Sequence, residues 1–194
     1  MNCHLKNTPE AEGTFLAWDE NMRKIWLHLT NPPLFYHKKD NITRKECKWV
    51  APLIGWKKLK FDGASRGNPG KAGLGYIVRS ENGYLLLKWA KPLGNVTNNI
   101  AELEALKEGL KLSIKINIRK LIIEGDSQVN LNAIRKWQTL NWILNAKLKS
   151  FHNLIYQFEE IIIQHIYREG NLESDKLANK GVEEEDFMYL VEQN

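Results

Sequence analysis

Cysteine is scarce in this chain. Cys3 and Cys47 are the only two in 194 residues, too few for a disulfide framework and suited to a reducing compartment. No apolar run approaches the roughly 20 residues that span a bilayer, so no membrane partner is expected. The N-terminus lacks a basic stretch followed by an apolar core, and no secretory signal is read there. An intracellular site, nucleus or cytoplasm, is the expectation. Internal repeats and low-complexity tracts are missing. Cys3, His4, His28, His37 and Cys47 fall into no zinc-ligand spacing. These absences leave an ordinary globular chain, 43% hydrophobic and 26% charged, with room for one domain and a short extension.

Acid is under-represented in the body of the chain. Between Lys57 and Val182 there are 20 Lys+Arg against 12 Asp+Glu, while residues 1–56 are nearly balanced. The tail carries Glu183, Glu184, Glu185, Asp186 and Glu192 with no base. A basic body suits a polyanionic partner, although surplus surface lysine reads the same way.

Pro52 and Gly55 break the pattern before a regular region begins. In 57–62, Leu59 and Phe61 alternate with Lys58, Lys60 and Asp62, the signature of a half-buried strand. Residues 73–80 and 83–91 read as a hairpin turned at Asn82-Gly83. Gly73 and Gly75 suggest that other backbone comes close to the first of these strands. Leu103, Leu106, Leu110 and Ile114 mark a helix over 99–114. A strand at 120–124, a helix at 127–136 capped by Ser127, a helix at 146–159, a strand at 161–167 and a helix at 172–180 stopped by Gly181 complete the order. That order implies a mixed sheet with helices on both faces. Phe15, Trp18, Met22, Ile25, Trp26 and Leu29 fit one amphipathic helix ended by Asn31-Pro32-Pro33.

Four acids stand at element ends: Asp62 before the turn Gly63-Ala64-Ser65-Arg66-Gly67-Asn68-Pro69-Gly70, Glu102 at a helix start after Asn98 and Asn99, Asp126 after a strand, and Asp175 in the first turn of the last helix. Each has a plain explanation alone: an Asp-Gly turn, a capping box, or a charge favoured by a helix dipole. Together they suit a pair of divalent cations. Phosphodiester hydrolysis needs an activated water and a stabilised leaving oxygen, which two metals about 4 Å apart provide. Magnesium asks for oxygen ligands, and so many acids together are costly without a cation.

These four settings resemble the active site of type 1 ribonuclease H, over roughly residues 57–182. The wording of Asp62–Gly70 and of His165-Ile166-Tyr167-Arg168-Glu169-Gly170-Asn171 is similar to ribonuclease H domains tied to plant retroelements. The resemblance implies an α/β ribonuclease H-like fold with a mixed five-stranded sheet, three antiparallel strands followed by two parallel ones. It implies magnesium-dependent cutting of the RNA strand of RNA–DNA hybrids with two Mg²⁺ ions, Mn²⁺ serving as a substitute. Asp62 would bridge the metals, Glu102 and Asp126 would be its partners, and Asp175 would help hold the hydrolytic metal. Arg168 matches the arginine used by family members with a shortened loop before the fourth acid. His165 falls within the strand, as a packed or hydrogen-bonded side chain.

For the hybrid, the resemblance places Asn98 and Asn99 in the minor groove, where 2′-hydroxyls are sensed. Thr97 matches a DNA-phosphate ligand. Asn145 is either a second such ligand or an ordinary N-cap. The loop bearing Ser65 and Asn68 offers backbone N–H groups to phosphate or 2′-hydroxyl oxygens. Arg135, Lys136, Trp137, Trp142, Lys147 and Lys149 interleave base and aromatic, as nucleic-acid contacts do, although either tryptophan equally suits packing. The expected layout is an N-terminal extension over 1–55, the ribonuclease H domain over 56–182 and an acidic tail over 183–194, acting as a monomer. If the retroelement likeness holds, the extension is a remnant of a longer polyprotein. Two other readings compete: a catalytically silent hybrid-binding module and an integrase-like or resolvase-like nuclease of the same fold.

Overall fold

The computed structural model describes residues 49–136, 150–151, 153–184 and 186–190. The elements are β1 (Trp56–Gly67), β2 (Gly70–Arg79), β3 (Leu85–Val96), α1 (Asn98–Lys115), β4 (Lys120–Gly125), α2 (Gln128–Lys136), β5 (Glu160–His165), a 3-10 turn (Arg168–Gly170), α3 (Leu172–Val182) and β6 (Phe187–Leu190). The sheet order is β5-β4-β1-β2-β3-β6. β1, β2, β3 and β6 pair antiparallel, whereas β4 and β5 lie parallel to β1 and to each other.

The sheet therefore has six strands, not the expected five. The acidic residues of the tail concealed a four-residue apolar run, Phe187 to Leu190. It pairs with β3, placing Phe187 opposite Ala90 and Leu190 opposite Leu87. That pairing satisfies backbone groups that β3 would otherwise leave bare at a sheet edge.

Alternation along β1 divides the molecule. Leu59 and Phe61 join Leu103, Leu106 and Leu110 of α1, Leu121 and Ile123 of β4, and Leu131 and Ile134 of α2 in one buried cluster. The opposite face receives α3, whose Leu177 packs with Ile77 and Ala90. Gly73 and Gly75 make that close approach possible. A methyl group on Gly73 would overlap the backbone nitrogen of Val182, and one on Gly75 that of Ala178. β1 is thus covered on both sides rather than half buried. Lys58 is buried, its ammonium 2.7 Å from Glu124 of β4 and 2.8 Å from the Val50 carbonyl.

Several boundaries shift. β1 runs on to Gly67, so Asp62 lies within the strand, opposite Gly75. Gly83 takes the positive φ (80°) that the β2–β3 turn needs. α3 continues through Gly181 to Val182, because Gly181 packs against the Lys91 carbonyl of β3 instead of ending the helix. Of the helix expected over 146–159, residues 150, 151 and 153–155 are helical and 146–149 and 152 lie outside the described residues, while residues 156–159 turn into β5. The helix expected in the extension lies outside the described residues. No helix among the described residues is long and apolar enough to cross a membrane.

Candidate active site

Asp62 is held by the register of β1 against β2 and β4, and only 8% of its surface is exposed. Its Oδ1 accepts the N–H of Gly63 at 2.9 Å. The absence of a side chain on Gly63 sets the next acid. A methyl group there would collide with the backbone nitrogen of Glu102, so the first turn of α1 lies directly on β1. Thr97 caps that helix, its hydroxyl accepting the Ile100 N–H at 3.4 Å. Glu102, 6% exposed, is gripped at both oxygens. Asn98 Nδ2 donates to Oε1 and Asn130 Nδ2 to Oε2, each at 2.9 Å.

Asp126 follows the last residue of β4, where parallel pairing brings it beside β1. Asp175 lies in the first turn of α3. Asn171, fully buried, ties the elements together. Its Nδ2 donates to the Phe61 carbonyl at 2.9 Å and to Asp126 Oδ1 at 3.2 Å, and its Oδ1 accepts the Ser174 hydroxyl at 2.5 Å. One amide thereby bonds to the strand of Asp62, to Asp126 and to the helix of Asp175. Arg168 donates to Asp175 Oδ1 at 3.2 Å. His165 lies at the end of β5 and donates through Nε2 to the Asp126 carbonyl at 3.1 Å, in keeping with a hydrogen-bonded role.

The four acids act on one another electrically. Burial, then Asp126, Glu102 and Asp175 in that order, push the Asp62 carboxyl up to about 8, against a smaller downward pull from the Gly63 N–H. Burial likewise lifts Glu102 to about 7; Ser127 and Asn130 lower it by hydrogen bonding, and Asp126 raises it. Among the described residues no three acidic, histidine or cysteine side chains are drawn into a chelating group. Instead the acids accept bonds from amides, a hydroxyl and a guanidinium. The donor set fits hard divalent cations, since it is all carboxylate and carries a repulsion that a cation would relieve.

A family model described as reverse transcriptase-like matches residues 60–181. Ribonuclease HI of Halobacterium salinarum is 34% identical over 125 residues, 64% of this chain and 63% of that protein. The crystal structure of RNase H1 from the same archaeon superposes with a TM-score of 0.64 at 31% identity, covering 67% of this chain and 99% of that one. The chain belongs to the ribonuclease H family. A putative ribonuclease H protein of Arabidopsis thaliana is 31% identical over 131 residues, 68% of this chain but 21% of that protein. The match thus spans less than two thirds of the length of either curated relative. LC11-RNase H1, isolated from compost and solved in complex with an RNA/DNA hybrid, superposes with a TM-score of 0.61 at 27% identity, over 66% of this chain and 96% of that one.

The ribonuclease H resemblance also singled out polar residues around the acids. Asn98 and Asn99 open α1, and Asn99 is exposed. Ser65 is committed to the β1–β2 turn, donating to the Gly67 and Val96 carbonyls at 2.6 and 2.8 Å. Asn68 Oδ1 accepts the Asn98 N–H at 3.1 Å, so the turn and the start of α1 form one surface. Asn145, Trp137 and Trp142 lie outside the described residues. Sequence reasoning passed over Asn130 and Asn171. For Asn130 there was a signal: a polar residue beside Leu131 and Ile134, on the inward side of a short helix.

Proposed function

We propose that this chain is a magnesium-dependent endoribonuclease that cuts the RNA strand of RNA–DNA hybrids, leaving 5′-phosphate and 3′-hydroxyl ends and acting as a monomer. The observation that carries this reading is the electrical coupling of Asp62 to Glu102, Asp126 and Asp175. Such a concentration of acid, with Asp62 and Glu102 buried, suits a site made to receive cations. The hybrid complex of LC11-RNase H1, a fold relative, supports the substrate.

Two Mg²⁺ ions, or Mn²⁺ in their place, held by Asp62, Glu102, Asp126 and Asp175 would supply the charge that activates water and stabilises the leaving oxygen. The chain's own groups prepare the rest. Asp62 and Glu102 hold protons near neutral pH that cation loading would displace. Asn98 and Asn99 present amides to the minor groove, where a 2′-hydroxyl distinguishes RNA from DNA. Thr97 and the turn bearing Ser65 and Asn68 adjoin them as backbone contacts. Arg168, 75% exposed beside Asp175, is a cation placed to assist product release.

The test is direct. Purified protein with Mg²⁺ should cut the RNA of a labelled hybrid, spare duplex DNA and stop on addition of EDTA. Asp126→Asn should abolish cutting while leaving hybrid binding largely intact; robust cleavage by this variant refutes the assignment. Hybrid binding without metal-dependent cutting in the unaltered protein would instead favour the silent module. Cutting of branched or duplex DNA would favour the integrase-like reading.

A further inference from the structure

Asn130 has no role in the reading above, and its surroundings are unusual. It is wholly buried on α2, with its backbone N–H 3.5 Å from the capping Ser127 hydroxyl. Its side-chain amide donates to Glu102 Oε2 at 2.9 Å and to the Asn99 carbonyl at 3.4 Å. The Asn99 carbonyl only accepts, which turns the Nδ2 end of the amide toward it and toward Glu102. That orientation leaves Oδ1 buried with no partner. An orphaned acceptor in a dry site is a standing cost to the fold, and an apolar residue of similar size would avoid it. The polar group is therefore poor packing, and its one strong contact is a carboxylate of the acid cluster.

The two amides on Glu102 are not equivalent. Asn98 is partly exposed at the start of α1, where water can compete for its amide. Asn130 is beyond reach of solvent, so its hold on Oε2 persists whatever Asn98 does. We propose that Asn130 is the positioning residue of Glu102: it fixes Oε2 against α2 and so holds the carboxylate plane with Oε1 at the Asn98 amide, at the start of α1. This rests on the nuclease reading for its kinetic consequence but not for its binding consequence. Partners that orient a metal-ligating carboxylate affect affinity and turnover by about ten- to a hundredfold when removed.

The deciding variant is Asn130→Leu, which keeps the volume and removes both the donor and the orphan. Its melting temperature should change little, because loss of the orphaned Oδ1 offsets loss of the bond to Glu102 Oε2. Calorimetric titration of the substrate-free protein with Mg²⁺ should show binding weaker by about tenfold. On the hybrid, kcat should fall by about tenfold with KM little changed, and raised Mg²⁺ should recover part of the loss. In a double-mutant cycle, Asn130→Leu should have no further effect on Mg²⁺ binding when Glu102 is already Gln. Unchanged Mg²⁺ affinity in Asn130→Leu, or an equal loss in the Glu102→Gln background, overturns the proposal. So does a fall in melting temperature with kcat and KM moving together, the mark of a merely structural residue. Should the unaltered protein cut no hybrid, the nuclease reading fails alone, and the Mg²⁺ titrations still decide the role of Asn130.

Discussion

The four acids divide into a deep pair and a rim pair. Asp62 and Glu102 are buried, lean toward their protonated forms, and rest on neutral donors: a backbone N–H for one and two asparagine amides for the other. Asp126 and Asp175 are half-exposed, and Asp175 faces a guanidinium. The difference follows from what carries each side chain. A central strand and a helix laid on a glycine place the deep pair inside the sheet-helix junction. A strand end and a helix start leave the rim pair open to water. Burial makes the deep pair costly as charges, a cost that a bound cation would relieve. Partial exposure leaves the rim pair in contact with water.

The sharpest way to test that division is Asp62→Asn. Cleavage of the hybrid should fall by about a thousandfold or more, while thermal stability of the metal-free protein at pH 8 should rise. Activity and stability moving together would show that Asp62 is not a strained deep acid. Next is Gly63→Ala. Its methyl group must displace the first turn of α1, so chemical denaturation should show a loss of about 2–4 kcal/mol, with cutting impaired in proportion to the shift of Glu102.

The pH dependence follows from the raised values. Asp62 titrates near 3.8 when ordinary and about 8 in the fold, and Glu102 moves from 4.5 to about 7. The folded protein then holds more protons than the unfolded chain between these limits. This contribution is fully present below about pH 4 and is lost as pH rises toward 8. The melting temperature of metal-free protein should fall by several degrees over that window. Mg²⁺ should restore more of it at pH 8 than at pH 6, and Asp62→Asn should flatten the curve. The smallest effect belongs to the rim. Arg168→Ala should change stability by less than about 1 kcal/mol, because the pair it breaks is exposed, yet slow multiple turnover by about tenfold. An equal loss under single-turnover conditions would place Arg168 in chemistry rather than release.

Much of the fold was legible because periodicity reports burial. Leu59 and Phe61, and the α1 stripe from Leu103 to Leu110, face the core where their spacing points them. Gly73 and Gly75 announced a close neighbour, which is α3. Lys58 misled, because a lysine on a strand reads as solvated unless its partner is known, and Glu124 lies on a strand 66 residues further on. β6 was missed because four apolar residues behind a run of acids carry no period. Asn145 and the two tryptophans lie outside the described residues.

What the amino-acid order determined by itself was the set of chemical groups and their local settings: four carboxylates at element ends, asparagines before a helix, glycines where backbones must meet. Those depend on neighbours along the chain, and short-range sterics and hydrogen bonding are enough to place them. Only the tertiary structure decided which acids are buried together, which amides hold Glu102 and Asp126, and that a lysine belongs inside. These are contacts between residues tens of positions apart, and local pattern is blind to them because it cannot say which distant surface will cover a given face.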